Sequence, residues 1–269
     1  MKIPFLKYQG TGNDFVIIDN REGLFNSILQ KENINHICHR KLGIGADGLI
    51  LLENDLVSDF KMTYYNADGK ESSMCGNGGR CIAAFAAKLG IYDRQSQFKA
   101  IDGMHEVEIT QEDLARGYCQ IKLKMQDVND VIEIDDSLFI NTGSPHYIVF
   151  EENVQKIDVD EKGKKIRYSE RFAQEGTNVN FINRYQDGIY VRTYERGVEA
   201  ETLSCGTGAT ASALAAAYKG WIAPSGNCKV YTPGGLLHIF FESTHSKKMY
   251  SNIWLEGATQ MVFSGEINV

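Results

Sequence analysis

The sequence has few positive charges, few prolines and no long apolar runs. Lysine and arginine number 28 against 35 aspartate and glutamate residues, giving a formal net charge of −7 at pH 7. Such a balance lacks the basic patches that nucleic-acid binding requires. No stretch approaches the ~20 apolar residues of a membrane-spanning helix, and Lys7 interrupts the N-terminal apolar residues, which argues against a signal peptide. We therefore predict a cytoplasmic protein that binds neither nucleic acid nor membranes.

The chain also lacks the common signatures of cofactor and metal sites. None of its six cysteines has CxxC spacing, and Cys75 and Cys81 lie too far apart for a zinc hook of that type. The glycine-rich stretches 10–14 and 43–48 match neither a Walker loop nor a strand-linked GxGxxG motif. No lysine lies in a recognisable pyridoxal phosphate context. We predict no metal, no cofactor and, without a secretory signal, reduced thiols.

The residues that are present indicate a globular protein rich in strands. Hydrophobic residues make up 43% and charged residues 23% of the 269 residues, a length that suits two domains or one large domain. Residues 106–110 and 120–124 alternate apolar with polar side chains, as half-exposed antiparallel strands do. Other runs rich in β-branched and aromatic residues predict strands. These runs are Phe15–Ile18, Leu49–Leu52, Tyr147–Phe150, Ile189–Arg192 and Ile239–Phe241.

Two helical segments resemble each other. Gly79–Leu89 and Gly208–Lys219 are rich in alanine and apolar nearly all round, so both are predicted to be buried. A glycine follows each segment, Gly90 and Gly220, at the place where a C-cap glycine is favoured.

A cysteine motif precedes each of these helices and suggests an internal repeat. The chain reads CGNGGR from Cys75 and CGTGAT from Cys205, and close to half of the chain separates the two copies. We predict an α+β fold of two pseudo-symmetric domains, each a mostly antiparallel, barrel-like sheet around a central buried helix. The first would comprise residues 1–122 with a C-terminal return over 260–269, and the second residues 123–259.

The repeated motif suits proton transfer at a carbon atom. Glycines allow a tight turn, and the first N–H groups of a helix, together with its dipole, favour an anion. A cysteine placed there has its thiol pKa lowered. If the two halves face each other, Cys75 and Cys205 lie in the cleft on opposite sides of a substrate carbon, as base and acid.

Other interpretations of these residues remain open. Each CGxG segment could be a turn whose cysteine merely packs, and the lone His146 is more often a core or surface residue than a catalyst. The chain could also be a non-catalytic amino-acid binder or a redox-sensing thiol protein. Two facing cysteines can form a disulfide on oxidation, which we interpret as inactivation.

Together the motifs resemble the diaminopimelate epimerase family. The match extends through most of the chain and includes Pro233–Gly235 near its end. The longer matching segments are Lys7–Asp19 (KYQGTGNDFVIID), Ile37–Leu52 (ICHRKLGIGADGLILL), Tyr65–Arg80 (YNADGKESSMCGNGGR), Gly143–Val149 (GSPHYIV), Gly176–Phe181 (GTNVNF) and Arg192–Ala211 (RTYERGVEAETLSCGTGATA).

The resemblance implies an activity and a set of site residues. The activity is interconversion of LL- and meso-diaminopimelate without pyridoxal phosphate or metal, in lysine and peptidoglycan-precursor synthesis, by a homodimer. Cys75 and Cys205 match the family's catalytic cysteines. The loops that hold the reacting α-carboxylate correspond to Gly76, Asn77, Gly206 and Thr207. The residues that read the rest of the substrate correspond to Asn13, Asn66, Asn178, Glu195 and Arg196.

The sequence departs from the family pattern at a few positions. Ser144 stands where an asparagine is frequent, residues 197–202 are one residue longer than the commonest form, and Gln9 and Thr11 are less usual choices. A rival hypothesis is a racemase of the same fold that acts on proline, hydroxyproline or another amino acid. The retained Asn66, Asn178, Glu195 and Arg196 argue against it, because a smaller substrate does not need residues that recognise a second amino-acid head.

Overall fold

Strands dominate the computed structural model, which describes residues 1–72, 74–113, 115–243 and 248–269. The chain divides into two compact units, residues 1–123 with 257–269 and residues 124–256. The strands are β1 (Lys2–Gly10), β2 (Asn13–Asp19), β3 (Gly48–Glu53), β4 (Phe60–Asn66), β5 (Gln95–Ala100), β6 (Gly103–Asp113), β7 (Tyr118–Lys124), β8 (Ile132–Ile134), β9 (Ser137–Asn141), β10 (Pro145–Phe150), β11 (Asn178–Tyr185), β12 (Gly188–Glu195), β13 (Ala200–Thr202), β14 (Gly226–Thr232), β15 (Gly235–Ser243) and β16 (Tyr250–Asn268). The α-helices are α1 (Lys31–Cys38), α2 (Gly76–Lys88), α3 (Val159–Arg167) and α4 (Gly206–Tyr218), and short 3-10 turns lie at Val154–Lys156 and Glu170–Phe172.

The first unit is a closed eight-stranded barrel around α2. Strands β1 to β7 follow one another, and the C-terminal part of β16 closes the barrel by pairing with both β7 and β1. Most neighbours are antiparallel, but β2–β3 and β4–β5 are parallel. Parallel neighbours need a crossover connection, and α1 and α2 lie in those two connections.

The second unit repeats this plan around α4. Its strand order is β8-β9-β10-β11-β12-β14-β15-β16, with the N-terminal part of β16 at the end and β13 paired to β12. The parallel pairs β10–β11 and β12–β14 again contain helices, α3 and α4, in their connections. The predicted α+β fold of two similar halves is confirmed.

Both central helices are buried, and most of their side chains are small and apolar, with Arg80 of α2 as a buried charged exception. Residues Gly76–Ala86 of α2 are buried, and α2 contacts β1, β2, β3, β4 and β6. In α4 the buried residues are Gly206 and Gly208–Ala217, which lie against β9 to β12, β14 and β15. Both C-cap predictions are confirmed, since Gly90 and Gly220 have φ values of +71° and +70°.

The two helices begin earlier than their sequences predicted. They start at Gly76 and Gly206, directly after the cysteines, instead of at Gly79 and Gly208. The predicted strand segments, including the alternating residues 106–110 and 120–124, all lie within strands. No helix in the described parts of the chain is long and apolar enough to cross a membrane.

Candidate active site

In each unit a cysteine occupies the N-cap of the central helix. Cys75 precedes α2 with φ −86° and ψ 128°, and Cys205 precedes α4 with φ −126° and ψ 117°. The N–H of Gly79 donates to the Cys75 carbonyl at 2.7 Å, and that of Ala209 donates to the Cys205 carbonyl at 2.8 Å. Both cysteines therefore stand at the positive end of a helix dipole, a position that favours an anionic side chain.

Solvent exposure separates these two cysteines from the others. Cys75 and Cys205 are partly exposed, whereas Cys38, Cys81, Cys119 and Cys228 are buried. Burial raises the pKa of Cys38 and Cys228 to about 12 and that of Cys119 to about 11. These buried thiols stay protonated at neutral pH and serve as small core residues.

Two of the predicted binding residues meet in the first unit. The Asn77 amide nitrogen donates to Asn13 Oδ1 at 2.6 Å, and Asn13 Nδ2 donates to Asp47 Oδ2 at 2.9 Å. Arg40 in turn donates to Asp47 Oδ1 at 2.6 Å. Asn13 therefore links the first turn of α2 to the Asp47–Arg40 ion pair. Asn66 is exposed at the end of β4 and pairs with Gly48, the residue after Asp47, while the neighbouring Ala67 N–H donates to the Asp47 carbonyl at 3.1 Å.

Asp14 forms further ion pairs next to this one. Lys7 Nζ lies 2.8 Å from Asp14 Oδ2, and Arg40 Nη2 lies 2.7 Å from Asp14 Oδ1. Burial alone raises the pKa of Asp14, but hydrogen bonds and charge from Arg40 and Lys7 outweigh it and lower the pKa to about 2. The carboxylate is thus ionised at neutral pH and holds the β1–β2 turn in place.

In the second unit a chain of hydrogen bonds leads inward from Cys205. Its Sγ lies 3.4 Å from Thr207 Oγ1, which lies 2.9 Å from His146 Nε2. His146 Nδ1 is 2.8 Å from Asn180 Oδ1, and Asn180 Nδ2 donates to Thr193 Oγ1 at 2.7 Å. These hydrogen bonds connect β10, β11, β12 and the start of α4.

The charge of His146 decides which groups donate and which accept in these hydrogen bonds. Burial lowers the pKa of His146 to about 4, and the Arg196 charge adds to that effect while the Asn180 hydrogen bond opposes it. The ring is therefore neutral at pH 7. Because Asn180 turns its oxygen toward Nδ1, that nitrogen carries the proton and Nε2 accepts from the Thr207 hydroxyl.

Asn178 links Ser144 and Pro145 to Arg196. Its Nδ2 donates to Ser144 Oγ and to the Pro145 carbonyl, both at 3.0 Å, while its Oδ1 accepts from the Arg196 N–H at 2.9 Å. Ser144 thus contacts a predicted binding residue. The Arg196 guanidinium is anchored by the Glu175 carbonyl at 2.8 Å and remains exposed.

Glu195 begins the longer loop before Cys205. The carboxylate accepts from Thr202 Oγ1 at 3.0 Å, and the Glu195 carbonyl accepts from the Glu199 N–H at 2.8 Å. Gly197 and Glu199 adopt positive φ values of +94° and +59°. The loop forms a turn into β13, which pairs back onto β12.

The predicted residues therefore form one group in each unit. The first group comprises Cys75, Gly76 and Asn77 with Asn13, and Asn66 lies beside Asp47, which Asn13 contacts. The second comprises Cys205, Gly206 and Thr207, with Asn178, Glu195 and Arg196 on neighbouring strands and loops. Each group can hold a thiolate and an anion at a helix start.

Two buried polar residues of the site were not among the predicted binding or catalytic residues. In the sequence His146 is a lone histidine, and Arg80 stands only as part of a segment that matches the family. A charged residue in an otherwise glycine- and alanine-rich helix is a signal that points to Arg80. His146 carries no such signal, because its partners Asn180 and Thr207 come from distant segments.

Comparison with known proteins gives consistent matches over the whole chain. The family model described as diaminopimelate epimerase matches residues 5–129 and 138–259. The diaminopimelate epimerase of Flavobacterium psychrophilum is 48% identical over 265 residues, covering 97% of this chain and 98% of that protein. That of Chlorobaculum tepidum is 41% identical over 265 residues, covering 97% of this chain and 99% of its own.

Solved structures with the same fold are more distant in sequence. A phenazine biosynthesis protein of the PhzF family from Bacillus anthracis has a TM-score of 0.74 at 16% identity, and the match covers 100% of both chains. A hydroxyproline epimerase from Agrobacterium vitis, solved with trans-4-hydroxy-L-proline, has a TM-score of 0.67 at 14% identity, covering 99% of this chain and 92% of that one. At these identities the similarity establishes the fold, and the family follows from the sequence matches. The chain belongs to the diaminopimelate epimerase family.

Proposed function

We propose that the chain is a diaminopimelate epimerase that interconverts LL- and meso-2,6-diaminopimelate, with Cys75 and Cys205 as its two bases. One observation carries the proposal: each unit has a partly exposed cysteine at the N-cap of its buried central helix. The full-length similarity to diaminopimelate epimerases supports the choice of substrate. The reaction would serve lysine and peptidoglycan-precursor synthesis.

The mechanism needs one thiolate and one thiol. The thiolate takes the α-proton from one face of the carbon, the C–H electron pair remains on the substrate, and the other cysteine's S–H supplies a proton from the opposite face. The two cysteines exchange protonation states, so each turnover leaves the enzyme in the reverse form. No electrons are gained or lost.

Two-base inversion requires both sulfurs to face one α-carbon. We therefore propose that the substrate binds in a cleft between the halves, residues 1–122 with 260–269 and residues 123–259. The N–H groups of Gly76, Asn77, Gly206 and Thr207 would hold the α-carboxylate. Such preorganised donors also stabilise the charge that develops when the α-proton leaves.

Diaminopimelate has a second amino-acid head, which five of the predicted binding residues would recognise. Arg196 would bind the distal carboxylate through two parallel hydrogen bonds, and the carboxylate of Glu195 would receive the ammonium group. Asn13, Asn66 and Asn178 would complete recognition of the stereocentre that does not react. The Asn178 contact with the Arg196 N–H supports this assignment, because it fixes the backbone of the residue that carries the guanidinium.

We also propose that the chain is a cytoplasmic homodimer. Thiolate catalysis requires reduced cysteines, which the cytoplasm maintains. Val262 and Phe263 on β16 are 54% and 45% exposed, a pair of apolar side chains suited to a subunit contact. Sedimentation of Phe263→Ser should show a shift toward monomer, whereas Leu56→Ser, which changes an exposed loop leucine, should not.

The experiment that tests the activity is incubation of the reduced protein with LL-diaminopimelate in D₂O without added cofactor. We expect α-proton exchange and formation of the meso isomer. Cys75→Ser and Cys205→Ser should each lower the epimerisation rate by about 10²- to 10⁴-fold, the usual contribution of one acid or base group. Cys228→Ser, at a buried cysteine, is the matched control and should leave the rate near that of the wild type.

A panel of amino acids separates the remaining hypotheses. Exchange of proline or hydroxyproline in preference to diaminopimelate would favour the related racemases, whose substrates lack a second head for Arg196. Binding of diaminopimelate without exchange would favour a non-catalytic binder. Full exchange in both cysteine variants would refute the two-base mechanism.

A further inference from the structure

Arg80 is a buried charge that the proposed mechanism does not yet use. The residue lies in the second turn of α2 and is 0% exposed. Its Nη1 donates to the Gly76 carbonyl at 3.2 Å, and its Nη2 donates to Asn77 Oδ1 at 3.0 Å and to Thr11 Oγ1. The guanidinium therefore lies under the first turn of the helix that Cys75 caps.

Nothing in the described parts of the chain neutralises this charge. Arg80 forms no ion pair with a carboxylate there, and its buried Nε has no hydrogen-bond partner. Burial lowers the pKa of Arg80, whereas nearby anionic charge on Cys75 and Cys81 would raise it. A buried cation without a counter-ion is costly, so an anion close by would stabilise it.

Cys75 is the group best suited to supply that anion. Burial raises the pKa of Cys81 and of the adjacent Tyr8 well above the neutral range, so both stay protonated. The Asp47 carboxylate reaches Arg80 only through the amides of Asn13 and Asn77. Cys75 is partly exposed and caps the same helix.

The second unit differs at the position equivalent to Arg80. Thr210 replaces Arg80, and its hydroxyl donates to the Gly206 carbonyl at 3.0 Å. Because the Thr207 hydroxyl donates to the neutral ring of His146, its oxygen is left to accept the S–H of Cys205 at 3.4 Å. This geometry suits a protonated Cys205.

We propose that Arg80 is a positioning residue that makes Cys75 the thiolate, and leaves Cys205 the thiol, in the substrate-free protein. The proposal rests on the proposed function, in which these two cysteines exchange protons with the substrate. Arg80 has no exposed surface, so it acts through Cys75 and the Gly76–Asn77 loop and not by touching the substrate. The repeat therefore carries a built-in asymmetry that assigns base and acid before the substrate arrives.

The test measures the two thiols separately without substrate. The pH dependence of iodoacetamide alkylation is followed for Cys75 in a Cys205→Ser chain and for Cys205 in a Cys75→Ser chain. We expect the Cys75 midpoint to lie at least one pH unit lower, which is about a tenfold difference in thiolate fraction. Equal midpoints, or a lower one for Cys205, would overturn the proposal. This comparison needs no change at Arg80 and so is not affected by misfolding of an Arg80 variant.

Variants of Arg80 then test the cause. Arg80→Gln should raise the Cys75 midpoint by at least one pH unit and leave the Cys205 midpoint unchanged, whereas Arg80→Lys should retain much of the effect. Lys88→Gln removes a charge from the exposed last turn of the same helix and should change neither midpoint. An unchanged Cys75 midpoint in Arg80→Gln would refute the role assigned to Arg80.

Steady-state kinetics separate this role from simple support of the loop. With otherwise intact cysteines, Arg80→Gln should lower kcat at pH 7 and recover part of it at higher pH, where Cys75 ionises without help. A rise in KM alone, without a shift of the pH profile, would indicate that Arg80 only shapes the carboxylate loop and would overturn the proposal. Absence of epimerisation by the wild-type chain would instead refute the proposed function, while alkylation would still decide the order of the two thiols.

Discussion

Thr207 connects the sulfur of Cys205 to the buried ring of His146. Its hydroxyl can donate one hydrogen bond, and the neutral ring takes it at Nε2. Its oxygen then lies within reach of the cysteine sulfur. A single hydroxyl therefore links Cys205 to His146, whose tautomer is set by the Asn180 oxygen at Nδ1.

Removal of the Thr207 hydroxyl should lower catalytic activity more strongly than it alters the fold. Thr207→Val keeps the branched side chain but leaves His146 Nε2 buried without a donor, a loss of about 1–3 kcal/mol in the free energy of unfolding. We expect kcat to fall about tenfold or more, since Cys205 also loses its contact with the Thr207 hydroxyl. Thr207→Ser retains the hydroxyl and should stay within a few-fold of the wild type. Equal losses in both variants, measured by epimerisation assays and urea unfolding, would contradict this role.

Residue-level prediction succeeded where a motif is local. The CGNGGR and CGTGAT segments predicted that Cys75 and Cys205 each precede a buried helix, and in the structure each cysteine caps its helix. The roles of His146 and Arg80 could not be predicted, because they depend on burial and on contacts with residues remote in sequence, such as Asn180 and Thr11. No local pattern encodes such contacts.

At the level of elements, tertiary burial extends both central helices toward their cysteines. Glycine, asparagine and threonine are poor helix formers, so the sequence predicted later starts at Gly79 and Gly208. In the structure the first turns are buried and helical from Gly76 and Gly206. Glycines at these turns allow close approach of neighbouring side chains, which a propensity scale does not register.

The third residue of each helix offers a matched test of this packing. A Cβ added at Gly208 would collide with the Asn180 amide nitrogen and lie 3.3 Å from His146 Cε1, whereas one at Gly78 would meet Ile50 Cδ1 at 3.2 Å and Phe15 Cε1 at 3.4 Å. Alanine improves helix propensity by about 1 kcal/mol at either site. We expect Gly208→Ala to be destabilising by about 1–3 kcal/mol and Gly78→Ala to be close to neutral. Urea unfolding measures both, and equal costs would indicate that the Asn180 contact is not limiting.

At the scale of the whole molecule, the sequence predicted the repeat but not the strand order. Two similar halves around buried helices followed from the duplicated motif. The parallel pairs β2–β3 and β12–β14 could not be predicted, because strand signals in a single sequence do not specify partners. Closure of the first barrel depends on β16, whose residues 260–268 pair with β1, and the sequence predicts a C-terminal return to this half over 260–269.

Buried titratable groups in both units set the pH range in which the protein is stable. His146 has its pKa lowered from 6.5 to about 4 by burial, so between these values the unfolded chain binds a proton that the folded chain does not. Stability therefore falls as the pH drops through this window. At the alkaline end, burial raises the pKa of Cys38 and Cys228 from 9.0 to about 12. There the unfolded chain releases protons that the folded chain keeps, so stability falls as the pH rises above about 9.

The resulting profile should be a plateau between about pH 6.5 and 9 with a falling limb on each side. Each group contributes a slope of at most about 1.4 kcal/mol per pH unit, because that is the free energy of one proton per unit. Urea unfolding from pH 4 to 11 measures the profile. His146→Gln should flatten the limb between pH 6.5 and 4, whatever its effect on stability at pH 7, and Cys228→Ala should reduce the slope above pH 9. If the limb between pH 6.5 and 4 keeps its slope in His146→Gln, the neutral state assigned to His146 is wrong, because the Asp14 carboxyl, whose pKa is lowered from 3.8 to about 2, affects stability only below about pH 4.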